Sequence, residues 1–201
     1  MATSLHPPRH GAGLPVREVR LGVDRGRPAV LADGVVQSVA PTAAAGGYWE
    51  AMLPEHQPRR ALLLGVGGGT LAHLLIGRFG PLTIVGVDDD PRMLSLARAV
   101  FGPLPPGVDL VLADAFTFVA RCAGRFDYVA VDLFHGGRPA RGVTGQPFLR
   151  ALREALVPGG HAVFNLFRDA HTARRLRRIA QRFTVTRVEH VRDNVVVHAR
   201  R

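Results

Sequence analysis

The chain contains no lysine, a single cysteine and a single tryptophan among its 201 residues. Cys122 cannot form a disulfide within the chain, and it has no thiol partner for a metal site. The nine histidines do not stand in an H-E-x-x-H or similar arrangement. We therefore expect no bound metal, and we interpret Cys122 as a buried apolar thiol.

The chain also lacks long apolar runs. None approaches the roughly 18 uninterrupted apolar residues of a membrane-spanning helix, and the first residues lack the apolar segment of a secretory signal. Residues 1–14 are instead rich in proline and glycine, so we expect a disordered tail there. The sequence thus predicts a cytoplasmic protein that does not enter the membrane.

All 26 basic residues are arginines, and the formal net charge is +10. This uniform choice indicates a compositional bias, which weakens arguments from charge alone. Residues 168–201 hold ten arginines and three acids, so a nucleic acid could dock there. We favour a solvated helix face, because no aromatic residues interleave with the arginines and apolar residues recur at helical spacing. Those apolar residues are Ala173, Leu176, Ile179, Ala180 and Phe183.

The 47% of hydrophobic residues is enough for one substantial core. Residues 15–53, near the start of the chain, contain short apolar runs. Two of these runs meet at Asp33-Gly34, which is a strong β-hairpin signal. We predict a small N-terminal β appendage over residues 15–53 and an α/β domain over residues 54–201.

Apolar runs and helical stretches alternate through this second part. We predict strands at 61–65, 82–87, 108–112, 126–132 and 161–166, and helices at 70–79, 91–101, 116–122 and 146–156. Strict alternation predicts a doubly wound, mostly parallel, Rossmann-like sheet with helices on both faces. The last runs predict an antiparallel hairpin around Arg192-Asp193.

Candidate binding residues follow four successive strands. In doubly wound sheets, ligands lie outside the carboxyl ends of the strands. A glycine turn, with Gly65, Gly67 and Gly69, precedes a helix and can bring the backbone close to a ligand. Asp88 follows 23 residues after Gly65, where an acid binds a ribose diol in nucleotide-binding units. Asp114-Ala115 is placed to meet an adenine edge, and Asp132 points into the same crevice.

These stretches resemble the spermidine synthase (polyamine aminopropyltransferase) family between about residues 30 and 166. The matching segments are LADGVVQSV, Tyr48-Trp49-Glu50, LLLGVGGGT, VGVDDDP, ADAF and FDYVAVD. The resemblance implies a class I methyltransferase-type fold, at least a homodimer, and S-adenosylmethionine or its decarboxylated form as cofactor. It also implies contacts of Gln37 with the cofactor, Asp88 with ribose and Asp114 with adenine. Tyr48 would face an acceptor amine, and Asp132 would be the general base.

Two departures from the family pattern bear on the reaction. Gly68 stands where the family carries an aspartate that holds the amino group of decarboxylated S-adenosylmethionine, and His135 replaces a second loop acid. Arg138 and Arg141 add positive charge to that loop, against a diamine acceptor. Because Gly68 carries no acid, we expect backbone N–H groups at the helix N-terminus to be free to receive the carboxylate of intact S-adenosylmethionine. Methyl transfer to a small-molecule acceptor is therefore slightly favoured.

Several alternatives remain open at this point. His135 is either a catalytic assistant to Asp132 or a polar residue of a lid loop over residues 136–145. The protein is alternatively a genuine polyamine aminopropyltransferase, a non-catalytic nucleotide-binding relative, or a nucleic-acid methyltransferase. A nicotinamide-dependent oxidoreductase is disfavoured, because its glycine fingerprint would leave Asp114 and Asp132 without roles.

Overall fold

A computed structural model describes residues 18–122, 125–135 and 137–201, so the predicted tail at residues 1–14 lies outside the described residues. The first strands, β1 (Val19–Asp24), β2 (Arg27–Ala32) and β3 (Val35–Val39), form a three-stranded antiparallel sheet. Asp33 and Gly34 both have positive φ, 47° and 78°, as the predicted hairpin turn requires.

The remaining long strands form one sheet of seven. They are β4 (Arg60–Leu64), β5 (Thr83–Asp88), β6 (Val108–Leu112), β7 (Phe126–Val131), β10 (Leu156–Phe167), β11 (Thr184–Val191) and β12 (Asn194–Arg200). Their order is β11-β12-β10-β7-β4-β5-β6, and the antiparallel pairings are those of β12 with β10 and with β11. Two further strands, β8 (Phe134–His135) and β9 (Arg138–Pro139), form a short hairpin after β7. The doubly wound sheet and the terminal hairpin are thereby confirmed.

Helices cover both faces of this sheet. They are α1 (Tyr48–Ala51), α2 (Thr70–Phe79), α3 (Pro91–Ala97), α4 (Ala115–Val119), α5 (Gln146–Ala155) and α6 (Thr172–Ala180), with a 3₁₀ turn at Pro41–Ala43. Side chains of β4 alternate between two apolar clusters, Leu62 and Leu64 facing one and Ala61 and Leu63 the other. Burial on both faces explains why this strand is wholly apolar at these positions. None of the helices in the described part of the chain is long and apolar enough to cross a membrane.

The structure corrects three details of the helix predictions. The helix expected over residues 116–122 ends at Val119. The helix expected over residues 91–101 ends at Ala97. Beyond it the amides of Ala99 and Val100 converge on one acceptor, Leu96 O, the first of them in a tighter i→i−3 turn. In α6, Ala173 and Ala180 are exposed rather than buried. The face that packs on the sheet is narrower than expected, since Leu176 and Ile179, with Phe183 beyond the helix, join the core.

The boundary predicted between residues 53 and 54 remains a prediction. Trp49 and Met52, just before that boundary, lie in the same apolar cluster as Leu71 and Leu75 of α2. The segment that follows the N-terminal sheet is therefore packed into the main core.

Candidate active site

The crevice of the sheet lies between β4 and β7. From β4 the chain winds outward through β5 and β6, and it returns to the other side of β4 with β7. Gly65 and Asp132 immediately follow these two strands, and the Asp132 amide donates to Leu64 O at 2.8 Å. Gly65 has a φ of 84°, and a Cβ there would overlap Asp132 O. Only glycine fits at this point of closest approach.

The backbone amides of the glycine turn are all bound within the protein. Gly65 N donates to Val87 O at 2.9 Å, and Gly69 N donates to Val66 O at 3.0 Å. Val66 N and Gly67 N donate to Asp88 Oδ2 at 3.0 and 3.3 Å. Gly68 N donates to Ser38 Oγ at 2.6 Å. The Gly68 amide itself is therefore not free for a cofactor carboxylate, because Ser38 on β3 already supplies its acceptor, and the expected carboxylate contact at the helix N-terminus remains a prediction.

Packing against the N-terminal sheet explains the glycine at position 68. A Cβ at Gly68 would lie 2.8 Å from Val30 Cγ2 and 2.9 Å from Ser38 Cβ, so no acidic side chain fits there without movement. A second contact joins β3 to the start of α2, since the Thr70 hydroxyl donates to Val39 O at 2.7 Å and accepts from Val39 N at 3.2 Å. The N-terminal sheet thus holds the glycine turn in place.

Asp88 organises the same turn. Its carboxylate accepts from Val66 N and Gly67 N, and from Asp90 N at 3.1 Å. Burial raises the pKa of the Asp88 carboxyl, and the amides of Asp90, Val66 and Gly67 oppose this rise. The predicted contact of Asp88 with a ribose remains a prediction.

The other predicted cofactor residues surround the turn. Asp114 caps α4, with Oδ1 accepting from Thr117 N at 2.8 Å, and Ala115 is buried. Gln37 is half-buried on β3, and its Nε2 donates to Val35 O at 3.4 Å. A Cβ at Gly67 would lie 2.9 Å from Gln37 O, so β3 passes directly beside the turn. Adenine and cofactor contacts of these residues stay predictions.

A polar network surrounds the carboxylate of Asp132. Asp132 Oδ1 accepts from Asn165 Nδ2 at 2.8 Å, and the Tyr48 hydroxyl also hydrogen-bonds this carboxylate. Burial raises the pKa of Asp132 to about 6, and the hydrogen bonds from Asn165 and Tyr48 limit the rise. Burial, and then the Asp132 charge, hold the pKa of Tyr48 well above its usual value. The structure thus brings the predicted acceptor residue Tyr48 and the predicted base Asp132 into contact.

Two further residues of this network were missed by the sequence analysis. Asn165 lies on β10 and is 2% exposed, and its Oδ1 accepts from Nδ2 of Asn194, the first residue of β12, at 2.8 Å. The available signal was a lone amide near the end of the apolar run HAVFNLF. Asn194 carried no signal, because its partner lies 29 positions earlier in the sequence.

His135 lies in the β8–β9 hairpin that follows Asp132. The hairpin is tied back by Ala140 N, which donates to Leu133 O at 2.9 Å. His135 is half-buried, and no hydrogen bond joins it to Asp132 among the described residues. Arg138 and Arg141 are exposed. A catalytic role for His135 therefore stays a prediction.

The sequence matches known proteins over this α/β part. A family model described as a methyltransferase domain matches residues 61–160. A polyamine aminopropyltransferase of Chromobacterium violaceum is 32% identical over 117 residues, which cover 57% of this chain and 44% of that protein. Putrescine N-methyltransferase 1 of Nicotiana tabacum is 35% identical over 111 residues, which cover 51% of this chain and 29% of that protein. The chain thus spans less than half the length of these relatives.

The fold also matches a solved structure. A probable spermidine synthase from Corynebacterium glutamicum superimposes with a TM-score of 0.77 at 21% sequence identity, covering 90% of this chain and 76% of that one. This likeness includes more of the chain than the methyltransferase domain match does. The chain therefore has the spermidine synthase-like form of the class I S-adenosylmethionine-dependent methyltransferase fold.

Proposed function

We propose that the protein is a methyltransferase that uses S-adenosylmethionine and a small-molecule acceptor, with Asp132 as the general base. When bound, S-adenosylmethionine supplies a methyl carbon activated by its attachment to a sulfonium. Tyr48 and Asp132 orient the nucleophilic atom of the acceptor. Asp132 takes the proton that this atom releases as it accepts the methyl group.

The pKa of Asp132 suits this role. Because the pKa is raised to about 6, the carboxylate is ionised at neutral pH yet is a much stronger base than an ordinary aspartate. Tyr48 remains protonated and can donate a hydrogen bond, since its own pKa is raised. The pair therefore combines a proton acceptor and a fixed donor at the carboxyl end of β7.

The residues present fit a nucleotide-like cofactor beside this pair. The backbone at Gly65 and Gly67 has no room for side chains, because each position faces Asp132 or Gln37 backbone oxygens at close range. With glycine at these positions, no side chain stands between the turn and a ligand. We assign cofactor contacts to this turn with Gly69, and to Gln37, Asp88, Asp114 and Ala115, as the sequence predicts.

The observation that carries methyl transfer over aminopropyl transfer is the packing of Gly68. The family's aspartate at this position would hold the amino group of decarboxylated S-adenosylmethionine, and here Val30 and Ser38 occupy the space that its side chain needs. The Nicotiana relative, named as a putrescine N-methyltransferase, supports methyl transfer on a similar scaffold. Arg138 and Arg141 argue against a diamine as the acceptor.

The contact between Tyr48 and Asp132 favours a second candidate, a polyamine aminopropyltransferase. Both residues match the spermidine synthase pattern, and the Chromobacterium relative is named as such an enzyme. The two candidates require different forms of the cofactor, so a comparison of cofactor binding separates them.

Calorimetric titration with S-adenosylmethionine, its decarboxylated form and methylthioadenosine tests the proposal. We expect the intact cofactor to bind most tightly, and Asp88→Ala to weaken it at least tenfold. Asp89→Ala is the matched control, because Asp89 is exposed and should leave binding unchanged. Preference for the decarboxylated form would favour the aminopropyltransferase. Binding of none of the three would favour a non-catalytic relative.

The assembly, location and loop residues remain proposals of the same kind. The resemblance to the spermidine synthase family supports a homodimer, and the sequence pattern supports a cytoplasmic location. We keep His135 as an assistant to Asp132 on the basis of its place in the loop after β7. A nucleic-acid substrate for the arginine-rich residues 168–201 is not favoured, because no aromatic residues interleave with these arginines as stacking platforms.

A further inference from the structure

Asn165 links Asp132 to the C-terminal hairpin through a chain of side-chain hydrogen bonds. Asn194 donates to Asn165, and Asn165 donates to Asp132, with both nitrogen–oxygen distances at 2.8 Å. Asn165 is 2% exposed, so water does not compete freely for its amide. A buried amide whose oxygen and nitrogen both have side-chain partners has little freedom to rotate.

The direction of this chain is fixed by chemistry. An ionised carboxylate only accepts hydrogen bonds, so Asn165 must turn its nitrogen toward Asp132. Its oxygen then faces the other way and requires a donor, which Asn194 supplies. If Asn194 were lost, the Asn165 oxygen would have no donor in this orientation. The reversed orientation of the Asn165 amide would then no longer be disfavoured by the loss of that hydrogen bond.

Three separate parts of the sheet meet at this point. Asp132 follows β7, Asn165 lies on β10 and Asn194 begins β12. The turn before Asn194 is held to the end of β10, because Arg168 N donates to Asp193 O at 2.7 Å. The terminal hairpin therefore does more than extend the sheet, since its first residue reaches the crevice.

We propose that Asn165 is a positioning residue for Asp132, and that Asn194 aims it. The pair holds the carboxylate in one orientation and leaves its remaining lone pairs to Tyr48 and the acceptor. This inference rests on the proposed role of Asp132 as the general base, and it adds the two residues that prepare that base.

The groups that face Asp132 determine how it should titrate. Burial and the charge of Asp88 raise the pKa of Asp132, whereas the hydrogen bonds from Asn165 and Tyr48 lower it. Tyr128 also lies within range of the Asp132 charge, but its hydroxyl donates to Met52 O at 2.8 Å. Removal of the Asn165 donor should therefore raise the pKa of Asp132 further.

The test is a ¹³C NMR titration of the Asp132 carboxyl carbon in the full chain, with Asp132→Asn to assign the signal. Asn165→Leu should raise the apparent pKa by about one unit, since it removes one hydrogen bond to a charged group. Asn194→Leu should give a smaller rise. Thr186→Val is the control, because Thr186 bonds His198 O and should leave the titration unchanged.

The outcomes separate this inference from the proposed function. An unchanged pKa in both Asn165→Leu and Asn194→Leu would overturn the inference, even if Asp132 itself proved catalytic. The titration requires no acceptor, so a failure to find methyl transfer would not affect it. If Asn165→Leu did not fold, Asn194→Leu would decide alone, and a rise without any change in Thr186→Val would support the proposal.

Discussion

At the scale of single residues, Asp132 controls the proposed reaction through its protonation state. Transfer needs the ionised form, and the pKa of Asp132 is raised to about 6. We therefore expect the transfer rate to fall about tenfold per pH unit below pH 6. The measurement is the rate of S-adenosylhomocysteine release as a function of pH, with an acceptor that supports turnover.

Asp132→Asn supplies the control for this pH dependence. It should lower the transfer rate by about 100- to 10,000-fold while S-adenosylhomocysteine still binds. If the wild-type transfer rate fell only below about pH 4, or if Asp132→Asn kept the wild-type rate, another group would take the proton.

Gly68 makes a separate prediction about stability. Gly68→Ala places a Cβ against Val30 and Ser38, and we expect it to lower the free energy of unfolding by about 1–3 kcal/mol. Gly77→Ala is the matched control at an exposed position in the last turn of α2, where nothing lies within 4 Å of the added Cβ. It should raise that free energy by about 0.5–1 kcal/mol. Urea unfolding of both variants measures the difference, and equal values would contradict the packing account.

The residues that sequence could predict are those tied to strand ends. Asp88 and Asp132 follow apolar runs, so their place at the crevice follows from the alternation of strands and helices. The reason for Gly68 could not be predicted, because it depends on the contact with Ser38, which lies 30 positions away. Asn165 and Asn194 were missed for the same reason.

At the scale of elements, the junction between β3 and the glycine turn has the clearest consequence. Ser38→Ala leaves the buried Gly68 amide without its acceptor, which should cost about 1–3 kcal/mol of unfolding free energy. Cofactor affinity should fall with it, because the turn is then held less firmly. Ser95→Ala, at an exposed position of α3, is the control. Unchanged cofactor affinity in Ser38→Ala, measured by calorimetry, would show that β3 does not support the turn.

Element boundaries were predicted least well where the chain makes short-range turns. The end of α3 depends on which amides bond to Leu96 O, and periodicity carries no information on that choice. The β8–β9 hairpin has only two residues in each strand, which is too short for alternation to show. The long strands were predicted because burial on both faces makes them continuously apolar.

At the scale of the whole molecule, buried titratable groups lie at both ends of the sheet. At the amino ends of the parallel strands, His161 and His198 line a cavity of about 450 Å³. Their rings stack at 5.0 Å, and His198 Nδ1 lies 3.0 Å from His161 Nε2. Burial, followed by the proximity of His198, lowers the pKa of His161 to about 4.

The two ends respond to acid in opposite directions. His161 binds a proton in the unfolded chain near pH 6.5 but in the folded protein only near pH 4, so it destabilises the fold as the pH falls through this window. Asp132 binds a proton near pH 6 when folded and near pH 4 when unfolded, so it stabilises the fold over nearly the same window.

The two contributions to the pH dependence of stability therefore oppose each other in the wild type, and we expect removal of one group to reveal the contribution of the other. Relative to wild type, the free energy of unfolding of His161→Gln should increase by about 1–3 kcal/mol as the pH falls from 6.5 to 4. That of Asp132→Asn should decrease over the same range. Urea unfolding at several pH values measures both, with His190→Gln, an exposed histidine, as the control. Parallel curves for wild type and His161→Gln would mean that the buried histidine pair does not contribute to the pH dependence of stability.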